Sequence, residues 1–204
     1  MKFGVHSRRS GFTLLEMVVA TTIFGMVGIA ITAAFQVGRQ SQSVVAELAA
    51  EGDSMRAATS QLVDDLRATR DASIVVTGTD TQNHTVTLMQ PIVVGADLSW
   101  GVFEPRLSAD PDEQTRENWR VCYRVNSVVS GDITTRTLVR QILNETGAVQ
   151  FERTVLRGLR AGNAASPGFQ LRDVGDVWEL TVSTENTLTG AEGMRMVIHV
   201  RTRN

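Results

Sequence analysis

The sequence predicts an α+β fold in which a long N-terminal α-helix packs on an antiparallel β-sheet. Three observations carry that prediction. The first 35 residues hold an apolar run broken by a single charge. The chain then turns amphipathic with no proline before Pro91. From Ile74 onward the apolar pattern switches to period two, with turn residues between the runs. Of the 204 residues, 42% are apolar and 21% charged, so a true core is available and wholesale disorder is excluded. The net charge of −2 offers no general electrostatic attraction for nucleic acid. Cys122 is the one cysteine, so no intrachain disulfide can form. That does not place the chain in a reducing compartment.

Between Phe12 and Phe35 the only formal charge is Glu16. As a helix this stretch spans roughly 36 Å, enough to cross a hydrocarbon core of about 30 Å with some tilt. Lys2, Arg8 and Arg9 precede it, with no acid among the first eleven residues. This basic flank predicts one span with the N-terminus cytoplasmic and the C-terminal bulk outside. The periodicity carries the helix on. Val44, Leu48, Met55, Leu62 and Leu66 fall on one helical face at spacings of 4 and 7. They are expected to pack as core against the sheet. Glu47, Glu51, Arg56, Asp65 and Arg67 take other faces, and Gly38 and Gly52 are candidate bending points. The expected helix runs from about Phe12 to about Arg70.

The second half reads as successive hairpins. Ile74–Thr77 and Thr85–Met89 flank a turn with Gly78, Asp80 and Asn83. Trp119, Val121, Tyr123 and Val125 alternate with Arg120, Cys122, Arg124 and Asn126. Thr137–Leu143 and Gln150–Leu156 bracket Asn144-Glu145-Thr146-Gly147, and Val177–Val182 and Met194–Val200 bracket a loop with Asn186 and Gly190. The organisation expected is a basic leader over 1–11, a membrane and assembly helix over 12–35, its amphipathic continuation over 36–72, and a β-rich globular domain over 73–204.

Three readings of the N-terminus compete: a plain signal anchor, a cleaved secretory or twin-arginine signal, and a processed leader. Ser7-Arg8-Arg9 and the small residues Ala30 to Ala34 are what a cleaved signal would use. Glu16 separates them. A carboxylate inside an apolar helix costs about 2.5–3.5 kcal/mol on insertion scales. An ordinary signal gains nothing from it, whereas a helix packed beside others can find it a partner. The string Gly11-Phe12-Thr13-Leu14-Leu15-Glu16, followed by Met17-Val18-Val19-Ala20 and a helix interrupted by Gly25 and Gly28, resembles the processing site of type IV pilins. The resemblance covers about 35 residues closely. It implies a pilin-like fold, cleavage between Gly11 and Phe12 by prepilin peptidase, and N-methylation of Phe12. It also implies a charge pair between Glu16 and the Phe12 ammonium of a neighbouring subunit. The membrane anchor would then be Leu14, Leu15, Val18, Val19, Ile23, Phe24, Val27, Ile29, Ile31 and Phe35.

The C-terminal half resembles the larger minor pseudopilins, the J-type subunit of type II secretion and its pilus relatives. The strings are Val121-Cys122-Tyr123-Arg124-Val125, Leu138-Val139-Arg140, Val155-Leu156-Arg157-Gly158-Leu159, Val177-Trp178-Glu179-Leu180-Thr181-Val182 and the terminal Arg203-Asn204. The lack of a second cysteine separates the chain from major pilus subunits, whose C-terminal loop is often disulfide-closed in this family. The implied role is structural: a subunit that joins other pilin-like subunits in a pseudopilus or pilus, at the tip, through an inner-membrane assembly platform. The alternative is a minor pilin that binds DNA or a surface, and after it an exported enzyme.

No enzyme, cofactor or metal is expected. His6, His84 and His199 lack ligand spacing. Asp110, Asp112 and Glu113 crowd one loop with Pro105 and Pro111 but match no calcium loop. No nucleophile elbow, phosphate loop or dinucleotide glycine pattern occurs. Cys122 reads as a structural thiol; Arg120 and Arg124 would lower its pKa only if it were exposed. Arg136, Arg140, Arg153, Arg157 and Arg160 could line up as a nucleic-acid strip. Interleaved acids make solvated strand faces the better expectation, so no nucleic acid is expected.

Overall fold

A computed structural model describes residues 13–78, 84–94, 96–162, 167–185 and 192–202. Several sequence expectations fall outside these residues: His6, Gly11, Phe12, Asp80, Asn83, Asn186, Gly190 and the pair Arg203-Asn204. Helix α1 runs over Leu14–Ala68, close to the expected span. Among the described residues eleven strands follow: β1 (Ile74–Thr77), β2 (Thr85–Leu88), β3 (Gln90–Val94), β4 (Asp97–Phe103), β5 (Thr115–Glu117), β6 (Arg120–Ser130), β7 (Ile133–Leu143), β8 (Val149–Arg157), β9 (Phe169–Asp173), β10 (Trp178–Glu185) and β11 (Glu192–Val200). They form three antiparallel sheets, ordered β1-β2-β6-β7-β8, β11-β10-β9 and β3-β4-β5. The architecture is α+β and pilin-like, a long helix that packs on antiparallel sheets through the apolar face of its stretch from Gly52 to Leu66.

The chain divides into two units, residues 1–50 and 51–204. In the first, every described residue is exposed. In the second, α1 contributes Met55, Ala58, Leu62, Val63 and Leu66 to one core cluster. Val86, Val121, Tyr123, Leu138 and Ile142 join it from the five-stranded sheet, Leu171, Leu180 and Val182 from the second sheet, and Val102 from the third. Packing begins at Gly52, where an added Cβ would lie 3.3 Å from the Met194 side chain of β11. Gly52 therefore permits close approach of the Met194 side chain. Val44 and Leu48, expected in the core, are 44% and 48% exposed. Their heptad spacing continues the stripe, but both lie in the first unit and are exposed.

The expected hairpins form. Ile74 pairs with Leu88, Arg140 with Arg153, and Leu180 with Ile198. At the tip between β7 and β8, the Asn144 carboxamide oxygen accepts from the Ala148 N–H and the Thr146 hydroxyl, each at 2.8 Å. Gly147 turns the chain at φ 84°, a conformation that favours glycine. Along β6 the alternation buries Val121, Tyr123 and Val125, as expected, while Trp119 stands just before the strand. The third sheet was not foreseen. It depends on Gly101, because a Cβ there would stand 2.0 Å from the Arg116 carbonyl oxygen of β5.

Candidate functional site

The first turn of α1 is closed by its own side chains. Thr13 Oγ1 accepts from the Glu16 N–H at 3.3 Å, and Glu16 Oε2 accepts from the Thr13 N–H at 2.9 Å. The Thr13 hydroxyl also donates to the same carboxylate at 3.2 Å. This is a capping box, which satisfies orphan donors at both ends of the turn. It also sets the carboxylate at the positive end of the helix dipole. The only charge of the apolar run thus has partners within the chain. Thr13-Leu14-Leu15-Glu16 carries the T-x-x-E signature, so this capping role was open to sequence reasoning but was not drawn.

Beyond that turn the helix is laid out for an apolar medium. Leu14, Leu15, Val18, Val19, Ile23, Phe24, Val27, Ile29, Ile31 and Phe35 are all between 49% and 83% exposed. An 18-residue window within α1 reaches a mean hydropathy of 2.1 with none of it buried. The polar side chains turn inward onto the backbone. Thr21 and Thr22 donate to the Val18 carbonyl at 3.0 and 2.7 Å, and Thr32 to the Gly28 carbonyl at 2.8 Å. A helix whose backbone and hydroxyls are satisfied internally is what a bilayer tolerates. Gly25 and Gly28 open a shallow groove edged by Ile29, Thr32, Ala33 and Gln36. The partners assigned to Glu16 by the expected charge pair cannot be located here, since Phe12 lies outside the described residues.

Residues 6–32 match the family model described as the prokaryotic N-terminal methylation motif. The match supports a type IV pilin-like protein. It spans Arg8 and Arg9, the dipeptide Gly11-Phe12, Glu16 and most of the apolar run. Together with the long apolar helix it supports processing by prepilin peptidase, methylation and membrane anchoring, and in general terms assembly with other pilins. No curated protein and no solved structure gives a match.

The other sequence candidates of this pilin-like chain resolve into structural roles. His84 is 2% exposed and lies between two sheets. His199 is exposed on β11, 3.4 Å from Glu179. Cys122 is buried, and burial pushes its thiol pKa up against smaller opposing effects of Thr87 and Arg124. The exposed, activated alternative therefore fails. In the acidic loop the Ser108 hydroxyl donates to Glu113 at 2.8 Å and accepts the Asp110 N–H. Among the described residues no group of three His, Cys, Asp or Glu could hold a metal ion.

The five arginines do not make one strip. Arg136 lies 4.0 Å from Glu185, Arg160 donates to Glu192 at 2.7 Å, and Arg153 reaches Gln61 of α1. Arg140 is 3% exposed and faces the core. Its Nε donates to Asp65 Oδ2 at 2.9 Å and its Nη1 to Glu104 Oε2 at 2.8 Å. Tyr123 donates to the same Asp65 oxygen at 2.6 Å, and Gln90 to the other at 3.3 Å. Burial opposes the Arg140 charge, but Asp65, with Tyr123 and Glu104, more than reverses this and holds its pKa above the ordinary value. Tyr123 is pushed well up, first by burial and then by the Asp65 carboxylate. This network joins α1, β6, β7 and the segment after β4. Arg140 lies two residues from Leu138 and from Ile142, on the same strand face as both, within a run buried from Leu138 to Ile142, and its place between two apolar residues of that face was the signal for a buried carboxylate partner.

Proposed function

We propose that the chain is a structural minor pilin or pseudopilin subunit, most like the J-type subunit of type II secretion, and not an enzyme. The observation that carries this reading is the methylation motif over residues 6–32, set on an exposed apolar helix whose one charge is Glu16. In this reading prepilin peptidase cuts between Gly11 and Phe12, and Phe12 is then N-methylated. The helix anchors the chain once in the bacterial inner membrane, N-terminus inside and globular domain outside. It is later drawn into a filament with other pilin-like subunits through the assembly platform, with this subunit at or near the tip.

The capping box sharpens the role of Glu16. Within the chain, Thr13 keeps the carboxylate hydrogen-bonded. In a helical bundle the Phe12 ammonium of a neighbour adds an opposite charge in an apolar setting, where attraction is strong but desolvation consumes much of it. The gain is therefore chiefly one of register.

Two measurements test the proposal. Mass spectrometry of the mature N-terminus should give methylated Phe12; a start near Phe35 would mean a discarded signal. Filament incorporation of Glu16→Gln and Glu16→Ala then isolates the charge. Glutamine retains the capping geometry and alanine removes it. Both variants should be cleaved normally and both should assemble poorly. Full incorporation of Glu16→Gln would sink the charge pair while leaving the processing assignment intact.

A further inference from the structure

Resting on the proposed role of the chain as a filament subunit, we infer that the outer part of the β6–β7 hairpin is a docking arm. It takes an uncharged extended strand from a neighbouring pilin-like subunit of different sequence. β6 and β7 stay paired out to Ser130 and Ile133, and Gly131-Asp132 turns the chain between them. Among the described residues the flanking strands stop short. β2 pairs with β6 no further than Arg124, and β8 with β7 no further than Thr137. Every residue from Asn126 to Thr135 is exposed. Val125 and Leu138 are the last buried pair. Beyond them Val129 continues the face of Val125, while Val128 and Ile133 share the opposite face. All three are more than half exposed.

This arm is unlike the edges of the sheets. Natural edge strands are kept short, charged or interrupted by proline, which blocks the addition of a further strand. Among the described residues the edges of the three sheets follow that rule. β1 has four residues and β5 three. β3 contains Pro91, β8 Glu152 and Arg153, β9 Arg172 and Asp173, and β11 Glu192 and Arg195. From Asn126 to Thr135 the one charge is Asp132, in the turn. An isolated two-stranded ribbon is only marginally stable in water, and this one leaves valines exposed on both faces.

Charge, size and self-fit select the occupant. A charged segment laid on the arm would lose hydration and find no counter-charge, so the partner strand is neutral. A stable interface uses about 20–30 residues a side, against the ten from Asn126 to Thr135. The arm alone would not hold a freely diffusing partner. A subunit tethered through its own apolar helix meets it at high effective concentration, which offsets the small contact. A second copy fits poorly. Its sheet edges are blunted, so it could offer only its own arm, and two arms joined edge to edge would leave both faces without a core. The partner strand belongs instead to a sheet with a core of its own. It adds to the arm through main-chain hydrogen bonds, with valine contacts on either face.

The test uses the full chain in cells that assemble the filament. With benzoylphenylalanine in place of Val129, illumination should link the chain to a different protein that carries the same N-terminal methylation motif, identified by sequencing the linked peptides. Linkage only to a second copy, only to a protein without that motif, or to nothing overturns the inference. Phe12 methylation, read in the same spectra, keeps the two assignments apart. Methylated Phe12 without such a link removes the arm and leaves the subunit role standing; a mature start near Phe35 removes both. A second measurement places a charge at two equally open sites, Val129→Lys at 68% exposure on the arm and Val93→Lys at 65% exposure on β3. Both should keep the wild-type denaturation midpoint in micelles. Burying an unpaired ammonium at the contact should lower filament incorporation of Val129→Lys at least about tenfold, while Val93→Lys matches wild type. Full incorporation of Val129→Lys, or equal losses at the two sites, overturns the inference. The cross-link decides the matter if either lysine variant fails to fold.

Discussion

Along one helix, the stretch from Leu14 to Phe35 and the stretch from Met55 to Leu66 use apolar side chains in opposite ways. The first exposes all of them and satisfies its few polar groups against its own backbone. The second buries Met55, Leu62 and Leu66 completely or nearly so. It also carries Asp65, the shared acceptor of Tyr123, Arg140 and Gln90. The first stretch is apolar on every face, which calls for lipid or other helices around it. The second has one apolar stripe, which one sheet layer can cover. The side chains alone do not separate these uses; Val44 and Leu48 continue the stripe of the second stretch yet share the exposure of the first. The difference lies in what the rest of the chain brings to each.

The largest expected effect comes from breaking the polar anchor of the second stretch. Arg140→Met leaves Asp65 and Glu104 as buried carboxylates without their common cation. Removing one member of a buried ion pair costs about 3–5 kcal/mol. Chemical denaturation of the full chain in micelles, followed by tryptophan fluorescence, should show a loss of that size. A loss below about 1 kcal/mol, within the range of exposed pairs, would mean the network is solvated and the comparison too sharp. The anchor of the first stretch should be unaffected, so membrane fractionation of the variant should match wild type.

Next in size is the contrast along the stripe itself. Leu62 is 1% exposed and Leu48 is 48% exposed, although both occupy the same heptad face. Leu62→Ala should cost about 2–5 kcal/mol, through lost transfer energy and a residual cavity. Leu48→Ala should stay within about 0.5 kcal/mol in the isolated chain. Equal costs for the two would show that Leu48 has a partner in the monomer.

Much of this division was legible in the residues. The absence of charge from Phe12 to Phe35 apart from Glu16 marks the first stretch, and the 4-and-7 spacing marks the second. The Asn144-Glu145-Thr146-Gly147 tip was legible because asparagine and glycine each have one job in such a turn. Where the stripe would cease to be covered was not, because periodicity reports a face and never its partner. The β3-β4-β5 sheet is hard to see in the residues because Pro91 and Gly101 disfavour strand by type, whereas Gly101 is there to admit the Arg116 carbonyl. The inward Arg140 was read as surface charge. Its position two residues from Leu138 and from Ile142, core residues on the same face of the strand, outweighs its type.

The smallest effect, and the most direct probe of the second stretch, is the alkaline titration of Tyr123. It is the only tyrosine in the chain, so tyrosinate absorbance reports on it alone. Burial and then the Asp65 carboxylate raise its pKa well above the ordinary value. The unfolded chain would release that proton near pH 10. A group whose pKa is raised on folding stabilises the fold fully below the unfolded value, and that contribution is lost as the pH climbs past it. The slope approaches about 1.4 kcal/mol per pH unit. Tyrosinate absorbance should therefore stay flat through pH 10 and rise only with unfolding. Tyr123→Phe should lose about 1 kcal/mol at neutral pH, the worth of one hydrogen bond, and should also lose the alkaline slope. A tyrosine that ionises near pH 10 in the intact fold would place Asp65 in water, and the helix end it anchors would then be held by apolar contact alone.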